Sequence, residues 1–197
     1  GHWVQGGRPA IADKWTRTRL ALLGGADLVL ELPTVWAVSS AETFARGAVG
    51  LLAAAQVVDV LSFGSECGDA DKLRRTAICL NSPEYEAGLR RFVEGGTPFA
   101  AARQGAVEGL LGPELAELLS TPNNNLGVEY IRALDRLNHD IRPMTIRREG
   151  APHDSLLLGT ERPRFCSATQ LRAYLGREDW TALELYLPKN GPEVLRA

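Results

Sequence analysis

The chain has 197 residues, a formal charge of −2 and 45% hydrophobic side chains. That content suffices for a sizeable core in one domain with a helical appendage and excludes disorder as the general state. Near-neutral charge gives no global attraction to nucleic acid, so an RNA contact would have to come from a local patch.

Cys67, Cys79 and Cys166 are odd in number and match no zinc spacing, which points to free thiols in a reducing cytoplasm. No apolar run is long enough to span a bilayer and no signal-peptide pattern is present, so a cytoplasmic protein without a membrane partner is expected. The chain opens Gly1-His2-Trp3 and its one methionine is Met144, so it reads as an internal piece of a longer protein.

Taken in order, Pro9 suits a first helical turn, and Ile11, Trp15, Thr18 and Leu22 follow at helical spacing along one face. Lys14, Arg17 and Arg19 then project mostly from the other faces, either as a solvated surface or, with Arg8, as the best candidate RNA patch. Gly24 and Gly25 predict a left-handed C-terminal cap. Residues 26–32 read as a continuous apolar strand, interrupted only by Asp27 and Glu31 and ended by Pro33, of the kind buried inside a parallel sheet.

Ser39 with Glu42 fits a capping box, opening a helix whose face is Phe44, Ala48, Leu51, Leu52 and Ala55. Residues 57–63 (VVDVLSF) form a second predicted buried strand, ending in Gly64-Ser65-Glu66. Strand, helix, strand is the right-handed parallel crossover, and ligands of open parallel sheets bind beyond the C-terminal strand ends, where those three residues fall.

Residues 69–120 change character. The segments 71–80, 83–93, 98–111 and 113–119 all look helical, joined by the turn chemistry of Asn81-Ser82-Pro83 and Gly95-Gly96-Thr97-Pro98, and predict a helical insertion. Asn123-Asn124-Asn125-Leu126-Gly127 then opens a helix with the face Leu126, Tyr130, Leu134 and Leu137. Residues 141–147 (IRPMTIR) read as a third strand weakened by Pro143, and 149–166 as a loop. Ser167 is a natural N-cap for the next helix, and 179–197 reads as a short helix with a frayed end.

Three polar clusters could carry chemistry. Gly64-Ser65-Glu66 is either an ordinary turn or a place where backbone approaches an adenine or ribose. In Pro122-Asn123-Asn124-Asn125, one asparagine suffices for a cap, which leaves side chains for a ligand's polar edge. Arg147 and Arg148, with Ser167, Thr169 and Arg172, could make an anion cradle at a helix N-terminus, or the latter three could simply be a capped surface helix. His139 is expected in solvent, and His153 beside Asp154 reads as a surface pair or a catalytic group. The sequence contains no Ser-His-Asp relay, no metal-ligand cluster and no Gly-rich Walker loop.

The segments VQGGRPAIADKWTRTRLALLGGADLVLELP, SAETFARGAV, FGSE, PNNNLGVEYIRAL, TIRR and SATQLR, in this order, closely resemble the bacterial tRNA(Met) cytidine acetate ligase family. The resemblance implies a nucleotidylyltransferase-like, Rossmann-like α/β fold with a parallel sheet. It assigns residues 1–68 and 121–178 to that domain, 69–120 to a helical insertion and 179–197 to the start of a C-terminal segment. It implies an enzyme that uses ATP and acetate to make acetyl-adenylate, with magnesium on the phosphates, and then acetylates the wobble cytidine of elongator tRNA(Met).

By the same resemblance, ATP contacts fall at Gly64, at Asn124 or its neighbour Asn123, and at Arg148 with Arg147 adjacent. Ser167, Thr169 and Arg172 match a triphosphate-gripping S-x-T-x-x-R element, and Lys14, Arg17 and Arg19 become a tRNA contact. The family's H-x-G-H phosphate motif occurs nowhere in these residues and is expected upstream of Gly1. Pro152-His153-Asp154 stands where Tyr-His-Asp is usual, and Gly7-Arg8 where Arg, Gly and an acid are usual. Such chemistry needs positioned reactants and neutralised phosphate charge, which arginines, hydroxyls and helix N-termini supply without a protein nucleophile. The alternatives are a small-molecule adenylyltransferase of the same fold, or a catalytically incomplete piece that binds tRNA or ATP.

Overall fold

The structure, a computed structural model, describes residues 1–4, 7–149 and 166–196. In chain order the elements are α1 (Lys14–Leu23), α2 (Thr34–Ala37), α3 (Ala41–Ala55), β1 (Val60–Ser65), α4 (Ala70–Leu80), α5 (Pro83–Glu94), α6 (Phe99–Leu111), α7 (Pro113–Glu117) and a 3-10 turn (Leu118–Ser120). They continue with α8 (Pro122–Leu137), β2 (Arg142–Arg147), α9 (Ala168–Gly176), α10 (Trp180–Glu184) and α11 (Gly191–Arg196). Two compact units result: Gly1–Val38 with Glu149–Ala197, and Ser39–Arg148. Among the described residues no helix is long and apolar enough to cross a membrane.

The unit Ser39–Arg148 is organised around α8. One side of it carries Val128 and Ile131 into a core with Leu73, Ala77, Leu80, Val107 and Leu115 of the surrounding helices. Ala133 and Leu134 meet Val49 of α3 and Ile141 in a second core. Fully buried aliphatic side chains such as Leu73 and Ile131 each contribute about 1.5–3 kcal/mol. Gly127 lets α8 press on the sheet: a Cβ there would lie 2.6 Å from the Phe63 ring, which also packs on Tyr130 with ring centroids 5.4 Å apart. The sheet within the described residues is β1 beside β2, parallel, with Gly64 opposite Ile146 and Ser65 opposite Arg147.

Several boundaries differ from the sequence reading. β1 runs from Val60 rather than 57, so Gly64 and Ser65 are its last residues instead of lying beyond it; pairing with β2 extends the ladder to them. α3 is capped by Ser40, whose Oγ accepts from Thr43 N at 3.4 Å, so its N-cap lies one residue beyond the expected Ser39. The first position of α8 is Pro122, its N-cap is Thr121, and its buried side includes Asn124, Gly127, Val128 and Ile131, while Leu137 is exposed. Residues 180–196 are more regular than a frayed segment, since both α10 and α11 form there.

In the unit containing the two ends, α1 starts at Lys14, not near Pro9. Asp13 caps it, its Oδ1 accepting from Trp15 N at 2.8 Å and Thr16 N at 3.1 Å, whereas Pro9 makes an isolated bridge with Trp3. The expected apolar face is open: α1 has no buried residue, and Trp15 is 69% exposed. Its end follows the expectation. Gly25 has φ +99°, and the N–H groups of Gly25 and Ala26 reach back to the carbonyls of Leu22 and Ala21. Residues 26–32 are not a strand. Leu28, Val29 and Leu30 are exposed, and without a neighbouring strand to take its N–H and C=O groups an apolar run stays irregular.

Candidate functional site

The C-terminal ends of β1 and β2 meet the first turn of α8 around the turn 64–68. Arg148 N donates to Ser65 O at 2.9 Å, which extends the ladder by one residue. Buried Ser65 then sits in an ordered chain of hydrogen bonds: Gly68 N–H donates to Ser65 Oγ (3.0 Å), and Ser65 Oγ lies 2.6 Å from Thr145 Oγ1, which donates to Phe63 O (3.2 Å). A hydroxyl has a single proton, so with Thr145 donating to Phe63, Ser65 is the donor to Thr145. The turn is thereby held from the β2 side.

From the other side it is held by α8. Asn124 is 4% exposed; its Oδ1 accepts from Cys67 N at 3.0 Å and its Nδ2 donates to Thr121 Oγ1 at 2.6 Å. Glu66 accepts from Asn123 N (3.2 Å), Asn123 Nδ2 (2.6 Å) and Asn124 N (2.7 Å). Burial alone would raise the Glu66 carboxyl; the hydrogen bonds from the Asn123 side chain and the Asn124 and Asn123 amides outweigh it and hold the group below the usual carboxylate range. These N–H groups, the natural anion seat of a helix start, are thus already occupied by a carboxylate.

Each of the two arginines lies over a glycine. A Cβ at Gly64 would stand 3.2 Å from Arg148 Cγ and 3.9 Å from its Nη1, so the bare backbone lets the Arg148 stem lie flat on the strand. Gly68, at φ +64°, has Arg147 against it, with a hypothetical Cβ 2.5 Å from Arg147 Cβ. Both arginines are otherwise exposed. Gly64, Asn123, Asn124, Arg147 and Arg148 therefore gather on one turn, although they span 85 positions of the chain. Sequence reasoning left Gly68, Thr121 and Thr145 without roles. The hint for Thr145 was a polar residue inside an otherwise apolar strand pattern.

The remaining candidates belong to the other unit. Ser167 caps α9, accepting from Gln170 N at 3.1 Å; Thr169 is half-buried and Arg172 exposed. Gln170 is 4% exposed and donates to Tyr174 OH at 2.9 Å. On α1, Lys14 Nζ pairs with Glu31 at 2.8 Å, and Arg17 is bonded to the carbonyls of Ala12 and Gly1, while Arg19 is exposed. His139 is exposed just after α8, and His153 with the Pro152-His153-Asp154 segment lies outside the described residues. Burial pushes the Cys79 and Cys166 thiols up, away from the reactive thiolate form. Among the described residues no three His, Cys, Asp or Glu side chains gather as a metal site.

A glycine-lined turn at parallel strand ends, gripped by a helix start and overlaid by arginines, is the geometry of a nucleotide-handling α/β domain. The chain belongs to the HIGH Nucleotidyl Transferase family, whose model matches residues 1–197. Among curated proteins it is 42% identical over 200 residues to the tRNA(Met) cytidine acetate ligase of Thermoanaerobacter sp. (strain X514), covering 100% of this chain and 49% of that protein. Among solved structures it is similar to Thermotoga maritima TmcAL bound with alpha-thio ATP, at 35% identity and a TM-score of 0.84, covering 100% of this chain and 46% of that one. The apo form of the same protein matches at 36% identity and a TM-score of 0.89, with 100% and 47% covered. The chain spans about half the length of the curated relatives it matches.

Proposed function

We propose that this chain is the nucleotide-handling part of an ATP-dependent ligase that activates acetate as acetyl-adenylate and acetylates the wobble cytidine of elongator tRNA(Met) in the cytoplasm. The observation that carries the reading is the gathering of Gly64, Asn124 and Arg148 on one turn at the strand ends. Support comes from relatives named tRNA(Met) cytidine acetate ligase and from a structural neighbour bound with alpha-thio ATP.

In this reading the missing side chain at Gly64 leaves the path along which the Arg148 stem lies, the nucleoside edge comes to the turn beside it, and the Arg148 guanidinium, with Arg147 beside it, meets phosphate oxygens with charge-assisted hydrogen bonds. In the other unit, Ser167, Thr169 and Arg172 at the start of α9 are a phosphate grip in their own right. Asn124 acts chiefly by fixing the turn, since both ends of its amide are engaged within the protein. The described residues do not offer magnesium a cage of their own: the Glu66 oxygens are taken by α8, and Asp69 caps α4. Magnesium, where it takes part, travels with the phosphates. Lys14, Arg17 and Arg19 form the tRNA contact, with Arg19 the most open of the three.

The test is isothermal titration of the full-length protein with ATP, followed by acetate-dependent ATP consumption with and without tRNA(Met). ATP binding and tRNA-stimulated turnover are expected. Absence of ATP binding overturns the reading. Turnover indifferent to tRNA would instead favour a small-molecule adenylyltransferase, an outcome to which the internal pairing of Lys14 and Arg17 lends some weight.

A further inference from the structure

The helix α8 begins without a cap of its own. Thr121 occupies the N-cap position with extended backbone, φ −102° and ψ 137°, yet its side chain accepts no helical N–H. The hydroxyl is engaged elsewhere, accepting from Asn124 Nδ2 and donating to Leu118 O at 3.3 Å. The orphan N–H groups of Asn123 and Asn124 go instead to Glu66, 57 and 58 residues earlier, at the end of β1. Ser, Thr, Asp and Asn usually perform this task from within the helix, because an uncapped first turn leaves donors unpaired.

The arrangement is reciprocal. Glu66, from the turn, holds the start of the helix; Asn124, from the helix, accepts from Cys67 N and so holds the turn. Neither clamp is local in sequence, and each fixes the backbone from which the other projects. The turn they fix is the one that carries Gly64 and, through the Arg148 N–H to Ser65 O bond, the root of Arg148.

We propose that Glu66 is a positioning residue of the nucleotide site: its carboxylate caps α8 from outside the helix and thereby sets the register between the Gly64–Gly68 turn and Asn124. This rests on the ATP reading given above. Stability alone could be served by a cap from residue 121, as the N-cap side chain serves α3, α4, α5 and α9. A cap taken from the turn instead couples the helix start to the binding loop, so that loosening one loosens the other.

The test uses the full-length protein, with ATP affinity read by isothermal titration and melting temperature by circular dichroism. In Glu66→Gln one oxygen becomes an NH2 group facing an amide donor. ATP affinity is expected to fall roughly tenfold or more, while kcat at saturating ATP stays within about twofold. Adding Thr121→Asp to that variant restores a cap at the helix start but does not restore the link from residue 66 of the turn to the helix, leaving Asn124 as the one side-chain tie between them. The melting temperature should recover and the affinity should not. Affinity that is unchanged in Glu66→Gln, or that returns together with the melting temperature, overturns the proposal. If Glu66→Gln does not fold, Glu66→Asp decides: it keeps the charge but is one methylene too short to bridge both amides, so full ATP affinity in it also overturns the proposal. Failure of the wild type to bind ATP is distinguishable from all of these and removes the site itself.

Discussion

Replacing Gly64 by alanine should damage nucleotide binding while leaving the fold nearly untouched. The new methyl carbon would stand 3.2 Å from Arg148 Cγ and 3.7 Å from its Cδ, a few tenths of an ångström inside ordinary contact. Arg148 is exposed, so its stem can yield by leaving its rotamer, at about 0.5–1.5 kcal/mol. Alanine in a strand recovers about 0.5–1 kcal/mol relative to glycine, because the unfolded chain has less freedom to lose. The two terms nearly cancel, and urea unfolding should show a change within about 1 kcal/mol. The guanidinium is nevertheless displaced, and losing the hydrogen bond to phosphate proposed for it would cost about 1.5–3 kcal/mol, roughly ten- to hundredfold in Kd. Titration of the full-length variant with ATP, beside Arg148→Ala as the reference loss, reads that change. Wild-type affinity in a folded Gly64→Ala protein would refute the reasoning, and a stability loss of several kcal/mol would show that the glycine serves the sheet and not the arginine's path.

Two glycines in helices should respond to alanine with opposite signs. Gly127→Ala sets a Cβ 2.6 Å from the Phe63 ring and 3.2 Å from Leu73 Cδ1, and overpacking of about 1–3 kcal/mol should outweigh the helix-propensity gain. Gly50→Ala meets nothing within 4 Å and should stabilise by about 0.5–1 kcal/mol; chemical denaturation checks both. Glu129→Gln leaves the Arg103 and Arg132 guanidinium groups facing a neutral amide in a nearly closed site and should cost about 3–5 kcal/mol, with a loss below about 1 kcal/mol counting against a structural role for the pair. The Glu66 carboxyl is held below its unfolded value, so its contribution is complete above the ordinary carboxylate range and is lost as pH falls through the lowered value. Melting temperature should therefore fall on acidification, and less steeply in Glu66→Gln; parallel acid limbs for the two proteins would contradict this.

Local signals in the sequence placed the helices of residues 69–120 almost to the residue, since Ser82 with Pro83 and Gly95-Gly96 act through neighbouring backbone alone. The double-glycine end of α1 was legible for the same reason: a positive φ is a property of one residue. Arg147, Arg148 and the asparagines could be marked as candidates because polar groups at strand ends and helix starts are where a parallel sheet handles ligands.

Periodicity was a poorer guide wherever a partner was needed. The run 26–32 has the composition of a buried strand, yet a strand exists only through pairing, and in the structure Leu28, Val29 and Leu30 stand exposed. β1 gained Gly64 and Ser65 because β2 offers them partners, which no count of β-branched residues reveals. The trans-acting cap of Glu66, the seating of Arg148 on Gly64 and the Ser65–Thr145 bond join residues 57 to 84 positions apart. Which residues could do the chemistry was thus set by their types and local order. Which of them meet was decided by the packing of α8 against the ends of β1 and β2, because hydrogen bonds and close contacts act over a few ångströms of space whatever the separation along the chain.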